Sequence, residues 1–248
     1  MRPTKVATSW GGCVFEASED MANLLNAFPL SIYHGALDLE PEDRQRLVEA
    51  VLEMGRTPSP KSRGSAWTGD VSGHAFLHQD ARFGQLFAAF TGHLRQYLDL
   101  LKIDPDKLHL YYTRSWATIS QGRESIAPHS HLQSHISLVY YLQKPPQSGG
   151  IAFFNSTAPN QFAPNLFHND MIKNGIIKEA ALVNSQVINM DPEEGTVLIF
   201  PSMTRHGTAP NLTDQPRLSI AVDIVTTVHD TGFLEFLLPD LDKWSPAS

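Results

Sequence analysis

The spacing of apolar residues along the chain changes once, near residue 107. Before that point, apolar positions recur every three to four residues, which is the period of an amphipathic helix. Residues 41–54 open with a proline and acidic side chains and predict one such helix. Asp80 is typical of an N-cap and predicts a second helix over residues 81–102. Residues 1–106 are therefore expected to be a mostly helical N-terminal support.

After residue 107, apolar positions alternate with polar ones, which is the period of a β-strand. Turn residues separate short runs of this kind, and no long helical pattern lies between them. The predicted strands are residues 108–119, 124–131, 135–142, 149–156, 185–190, 195–201, 205–211 and 217–227. They predict a mainly β (α+β) protein, a double-stranded β-helix or jelly-roll, cupin-like barrel, with the N-terminal helices packed outside.

We expect one domain over residues 1–248, because all-β barrels often reach this size as single units. Its β core is residues 107–228, and residues 229–248 form a C-terminal tail. One long connection, residues 157–184, is rich in Asn, Phe and Pro. Loops of that length in a compact domain are commonly lids or binding loops, so we expect a lid-like insertion there.

The composition argues against several classes of partner. The formal net charge is −7 and no block of Lys and Arg occurs, so neither a nucleic-acid surface nor an anionic-membrane patch is expected. Cys13 is the single cysteine, which excludes an intrachain disulfide framework and a thiolate-rich zinc site. The first residues lack the apolar core of a signal peptide, and no stretch approaches the roughly 18 apolar residues of a membrane span. A cytoplasmic protein with a small-molecule partner is predicted, and the oligomeric state stays open.

Three histidines form the strongest candidate site. In APHSHLQSHISLVYYL, residues 127–142, His129 and His131 are two apart, so on a strand both imidazoles point to the same side. His206, in FPSMTRHGTAPN, begins the seventh predicted strand, which lies close to the second in a double-stranded β-helix. Three such nitrogens would form a facial site and leave three positions of an octahedral metal free, an arrangement suited to oxygen chemistry.

Eleven residues beyond His206, the run PRLSIAVDI presents Arg217 and Ser219 on one face of an apolar strand. A buried guanidinium is costly unless it meets an anion, and its planar fork fits a carboxylate. Both side chains are therefore candidate ligands of a dicarboxylate cofactor. The alternative is a surface ion pair of Arg217 with Asp214 or Asp223.

Residues 108–227 resemble the 2-oxoglutarate/Fe(II)-dependent oxygenases, through the histidine-rich element followed by YYL, SGGIAFF, PEEGTVLIFPSMTRH and RLS in that order. The resemblance implies a non-haem iron dioxygenase with the cofactors Fe(II) and 2-oxoglutarate. It implies that His206 binds iron, that Arg217 binds the distal carboxylate of 2-oxoglutarate, and that Tyr141 assists. The implied reaction is oxidation, by default hydroxylation, of an unactivated C–H bond of a small metabolite, amino acid or peptide side chain, with release of succinate and CO₂.

The chain departs from the family pattern at one ligand. Most members have H-x-D, whereas this sequence has H-S-H at residues 129–131. The iron is then held either by three histidines or by two with His131 only nearby, and His135 is the reserve ligand. A second string, residues 78–80, does read H-Q-D, but it precedes a predicted helix for which Asp80 already serves as the cap.

Further residues are candidates for substrate contact or for support of the metal ligands. Alternation along the third predicted strand puts Ser137 and Val139 on the same wall as Tyr141, and Asp223 should also point inward. Trp116 is interpreted mainly as a core residue, with substrate contact as the alternative.

Two rival interpretations stay open at this point. A cupin-type dioxygenase also holds iron with three histidines and does not use 2-oxoglutarate, but it gives Arg217 and Ser219 no task. A β-barrel that binds a small acid without catalysis would have lost its metal site through the change from Asp to His.

Overall fold

The computed structural model describes residues 24, 26–56, 66, 74–230, 232 and 237–247. The chain divides into two compact units, Met1–Ser31 and Ile32–Ser248, and every element given below belongs to the second unit. The expectation of one domain over the whole chain stays a prediction. Cys13 lies outside the described residues.

Two long helices pack on one side of the β structure. Helix α1 spans Pro41–Met54 and α2 spans Gly84–Leu100. The second begins three residues later than predicted because Ala81–Phe83 form a 3-10 turn, in which the Asp80 carboxylate accepts the Arg82 N–H at 2.9 Å. The apolar stripes of both helices belong to the main hydrophobic core. Within the described residues, no helix is both long enough and apolar enough to cross a membrane.

Two antiparallel sheets account for the strands in the described part of the chain. The strands are β1 (Tyr33–Ala36), β2 (Leu108–Ser120), β3 (Ile136–Gln143), β4 (Ile151–Phe154), β5 (Val187–Met190), β6 (Thr196–Pro201), β7 (His206–Thr208) and β8 (Arg217–Val228). The larger sheet has the order β1-β6-β3-β8-β2, and the smaller has the order β5-β4-β7. Two such sheets with helices outside form the predicted double-stranded β-helix, so the fold class is confirmed.

Strand β8 shows how the sequence separates the core from the cavity. Its residues Leu218, Ile220 and Val222 are buried among the residues of the helices and of β3 and β6. Branched apolar side chains at every second position suit such a half-buried strand. The alternate positions, beginning with Arg217, point away from this core and line a cavity.

A bulge in β2 changes which of its residues face the core. Pairing with β8 shifts register between Tyr112 and Arg114. Tyr112 packs on the helix side before the bulge, and Ile119 does so after it. Because an extra residue reverses the alternation, Trp116 faces the cavity although it is four residues from Tyr112.

The predicted and observed strands differ most at two places. Residues 124–131 are irregular apart from isolated bridges at Ser125 and at His129, the latter with His206, so the predicted strand there is wrong. Pro128 has no N–H to donate to a ladder, which explains why regular pairing does not continue through this segment. Strand β1 was not predicted, because four residues are too few to show a period, and pairing with β6 maintains it.

The 157–184 connection has little regular structure. It contains one short helix, α3 (Asn169–Lys173), and a 3-10 turn at Leu182–Asn184. Its Phe162 is 89% exposed. The lid role of this connection stays a prediction.

Candidate metal centre and cofactor pocket

His129 and His206 are held side by side by their own backbones. The His129 N–H donates to the His206 carbonyl at 2.8 Å, and the His206 N–H donates to the His129 carbonyl at 2.9 Å. Gly207 lies so close to the preceding segment that a Cβ there would be 2.8 Å from the carbonyl oxygen of Ile126. The lack of a side chain at Gly207 therefore allows the histidine-bearing segment to approach β7.

His131 joins these two from the turn that follows. Its N–H donates to the Ser202 carbonyl at 3.0 Å, which ties the turn to the residue after β6. Nε2 of His129 and Nε2 of His131 are 3.0 Å apart, and one ligating nitrogen of each of the three histidines lies within 4.8 Å of the others. Nitrogens about 3 Å apart are neighbouring ligands at metal–nitrogen distances of about 2.1 Å.

The second ring nitrogen of each histidine, Nδ1, faces an oxygen that accepts a hydrogen bond. The pairs are His129 with the Ala127 carbonyl at 2.9 Å, His206 with the Thr204 carbonyl at 2.9 Å, and His131 with the Asp223 carboxylate at 2.5 Å. Assigned from these partners, each Nδ1 carries a proton. In a neutral ring the Nε2 atom then presents a lone pair, and the ligating nitrogens of the three rings lie within 4.8 Å of one another.

Converging lone pairs repel each other unless a cation lies between them. Burial lowers the pKa of His129 and lowers the pKa of His206 to about 4, so a proton is disfavoured in this place near neutral pH. Imidazole nitrogens are good ligands of iron, zinc, copper and nickel. The donor set therefore fits a divalent transition metal.

Arg217, the first residue of β8, is a buried cation in the same cavity. It is 1% exposed, and its Nη1 donates to the carbonyl of Ser148 at 2.7 Å and to that of Ala209 at 3.3 Å. No carboxylate of the described residues forms an ion pair with it, so the alternative of a surface ion pair does not hold. Burial without an anion lowers the pKa of Arg217, and a ligand carboxylate would remove that cost.

Tyr141 and Ser219 line this cavity together with Arg217. The cavity, counted together with the open space at its mouth, has a volume of about 550 Å³ and is also lined by the three histidines. Tyr141 is 1% exposed, and burial raises the pKa of its hydroxyl, which stays protonated and able to donate.

Comparison with known families gives one match. A family model described as "Putative 2OG-Fe(II) oxygenase" matches residues 114–223, which contain the three histidines, Arg217 and Ser219. Over these residues, a little under half of its length, the chain is similar to the 2-oxoglutarate/Fe(II)-dependent oxygenases. The resemblance read from the sequence is confirmed, and the oxygenase is an enzyme of the non-haem iron type. No curated protein matches it significantly.

Solved structures share the fold of this oxygenase at low sequence identity. The non-heme alpha ketoglutarate dependent epimerase SnoN from nogalamycin biosynthesis is 14% identical, with a TM-score of 0.53 over 84% of this chain and 85% of SnoN. The carbocyclase SnoK from the same biosynthesis is 12% identical, with a TM-score of 0.51 over 85% and 87% of the two chains. HygX from Streptomyces hygroscopicus, with nickel and 2-oxoglutarate bound, is 12% identical, with a TM-score of 0.50 over 79% and 83%.

Two of the sequence candidates lie outside the centre of the oxygenase. The side chain of His135 is exposed, and its Nδ1 bonds with Thr226, so the reserve ligand is not brought to the cluster. In the 78–80 string, His78 contacts the Ser115 hydroxyl at 2.7 Å, and Asp80 caps its turn as predicted. His78 is not part of the group formed by His129, His131 and His206.

Other candidates do line the cavity, and some lining residues were missed. Ser137, Val139 and Trp116 are in the lining, and the Trp116 ring stacks on His131 with the centroids 5.6 Å apart. Missed residues include Thr118 and Thr208, which alternation from Trp116 and His206 could have found. Ile126 and Ile151 also line it, but Ile126 lies in the irregular segment, where no period applies.

Proposed function

We propose that this oxygenase holds Fe(II) through Nε2 of His129, His131 and His206 and binds 2-oxoglutarate through Arg217 and its neighbours. It then oxidises an unactivated C–H bond of a small-molecule substrate, with release of succinate and CO₂. The observation that carries this proposal is one cavity that holds two groups suited to the two cofactors. It is lined by three imidazoles whose ligating nitrogens lie within 4.8 Å of one another and by a buried guanidinium that pairs with no carboxylate of the described residues.

Each cofactor-binding residue has a defined task in this proposal. The planar guanidinium of Arg217 receives the distal carboxylate, while the Ser219 hydroxyl and the Tyr141 hydroxyl are donors at its sides. Its Nη1 is already tied to two carbonyls, so the group is fixed before the cofactor arrives. Iron and 2-oxoglutarate, when bound, supply the O₂ activation, and the protein positions them and excludes water.

A small organic substrate fits the remaining walls. Apolar side chains of Trp116, Val139 and Ile151 lie in the lining beside the polar groups that hold the cofactor. Such a wall binds by apolar contact with few polar groups to fix orientation, as is usual for small-molecule sites. The epimerase and carbocyclase names of SnoN and SnoK support a substrate of this class, and hydroxylation is our default among the outcomes.

The test is anaerobic reconstitution with Fe(II) and 2-oxoglutarate. We expect a visible metal-to-ligand charge-transfer band that appears only with both components, followed by succinate release when O₂ and a substrate are added. His129→Ala should abolish the band, and His135→Ala is its matched control, because that histidine lies outside the cluster.

The outcomes separate the rival functions. Iron binding with O₂ consumption but no band and no succinate would contradict the proposal and favour a three-histidine dioxygenase that needs no 2-oxoglutarate. Binding of an organic acid without any iron binding would contradict it in favour of a non-catalytic barrel.

A further inference from the structure

The three histidines of the centre differ in what holds their Nδ1 proton. His129 and His206 donate to main-chain carbonyls two residues earlier in the chain, which are neutral acceptors. His131 donates to the carboxylate of Asp223, and the two atoms are 2.5 Å apart. His131 also stands where most members of the superfamily place an aspartate ligand.

Asp223 is a fully buried side chain that accepts hydrogen bonds on both oxygens. It is 0% exposed. Besides His131 on Oδ1, the Ser134 hydroxyl lies 3.1 Å from Oδ1, and Nε2 of Gln133 donates to Oδ2 at 2.9 Å. The His131 and Gln133 contacts place one N–H donor on each oxygen, which suits a carboxylate, while the single Ser134 proton can go either to Asp223 or to the Ser202 hydroxyl at 2.8 Å.

No Lys or Arg of the described residues forms an ion pair with this carboxylate; its one charged-type partner is His131. A buried carboxylate is disfavoured unless a positive charge lies close to it. A metal ion bound to Nε2 of His131 would supply the missing positive charge through the ring. One bound metal ion would therefore stabilise both the buried carboxylate of Asp223 and the three neighbouring lone pairs.

We propose that Asp223 is a positioning residue. Through its hydrogen bond to His131, it supplies indirectly the negative charge that the aspartate of H-x-D supplies by binding the metal itself. The inference rests on the proposed function. His131 and Asp223 act as one composite ligand: the ring binds the metal, and the carboxylate fixes its tautomer and makes the ring a stronger donor. Counting metal, ligands and Asp223, the formal charge equals that of a site with two histidines and one aspartate.

The first test compares Asp223→Asn with Gln133→Ala in the full chain. Asparagine keeps the shape and can still accept the His131 proton, but it removes the charge. The control removes a neutral donor from the other oxygen and leaves the His131 contact intact. Co(II) is titrated anaerobically by visible absorption, the Fe(III)/Fe(II) midpoint potential is measured, and the melting temperature of the metal-free protein checks the fold.

We expect Asp223→Asn to weaken Co(II) binding about 10- to 100-fold and to raise the midpoint potential, because the oxidised ion loses more stabilisation than the reduced one. Gln133→Ala should change both far less. A folded Asp223→Asn variant with wild-type affinity and wild-type potential would overturn the inference and leave the proposed function intact. Wild-type protein that binds neither Co(II) nor Fe(II) would overturn the proposed function itself.

A second pair of variants tests the composite ligand from the side of His131. His131→Asp alone places a second carboxylate beside Asp223 and removes the N–H that donates to Asp223. The double variant, His131→Asp with Asp223→Asn, moves the single charge onto the metal. We expect the double variant to bind Co(II) at least 10-fold more tightly than His131→Asp alone. Equal or weaker binding by the double variant would refute the composite ligand.

Discussion

Gly207→Ala is expected to weaken metal binding, although the added Cβ contacts no ligand atom and meets only the backbone of residues 126–128. The added Cβ would lie 2.8 Å from the Ile126 carbonyl oxygen, 3.1 Å from the Pro128 nitrogen and 3.3 Å from the Ala127 carbonyl carbon. All three are backbone atoms, so no side chain can simply rotate away. Gly207 is not in the left-handed region, and its replacement therefore acts through contact and not through backbone strain.

The size of the effect follows from these distances. Ordinary contact begins near 3.4 Å, so the Ile126 carbonyl must retreat by about 0.6 Å from its 2.8 Å approach. Metal sites tolerate about 0.2 Å in ligand distance. The metal-free protein can relieve the contact by moving the segment that carries His129, but metal binding draws it back. An overpacking energy of about 1–3 kcal/mol then appears in the binding equilibrium as about a 5- to 150-fold loss of affinity.

Calorimetric titration of the metal-free variant with Co(II) or Ni(II) measures this loss. The matched control is Gly92→Ala in α2, where an added Cβ meets nothing within 4 Å. We expect unchanged metal affinity and about 0.5–1 kcal/mol higher stability in that control. Gly207→Ala with metal affinity within twofold of the wild type, at an unchanged melting temperature, would show that the close approach does not position His129.

Three further predictions concern other parts of the molecule. Arg217→Met should weaken 2-oxoglutarate binding by at least about 100-fold, because leaving a buried carboxylate without its partner costs about 3–5 kcal/mol. Co(II) affinity should stay the same. Equal 2-oxoglutarate affinity would refute the role of Arg217. Burial lowers the pKa of His206 to about 4 from an ordinary 6.5. As the pH falls, the unfolded chain therefore takes up a proton on this residue before the folded protein does. The metal-free protein should lose up to about 3 kcal/mol of stability between pH 6.5 and pH 4. Urea unfolding at several pH values measures this, and a His206→Gln variant that loses as much stability as the wild type would contradict it. Asp80→Ala should cost about 1 kcal/mol of stability by removing the cap on the Arg82 N–H, and any fall in metal affinity would contradict our placing the H-Q-D string outside the centre.

Regular alternation explains what could be predicted from the sequence. Strand β8 keeps a period of two from Arg217 to Ile224, since every second side chain is needed in the helix-side core. The position of Arg217, Ser219 and Asp223 on one face follows directly from that period. The fold class was predictable for the same reason, because the strand period dominates most of the chain after residue 107.

Irregular backbone explains what could not be predicted. His129 and His131 were expected to converge as alternate residues of a strand, but they lie in an irregular segment and meet through a bridge to β7 and a bond to Ser202. The bulge in β2 separates Tyr112 from Trp116, which a strict period would place on the same face. Neither feature has a local sequence signal, because each depends on the register of a distant partner strand.

Strand β8 also sets the distance between two residues of the candidate site. Its inward face carries Arg217 at one end and Asp223 six residues later, which is about 20 Å along an extended chain at about 3.3 Å per residue. Inserting one residue between them would turn one of the two side chains into the apolar layer, and inserting two would lengthen the interval by about 7 Å. One strand thus fixes the interval between the residue proposed to anchor the cofactor and the residue proposed to support His131.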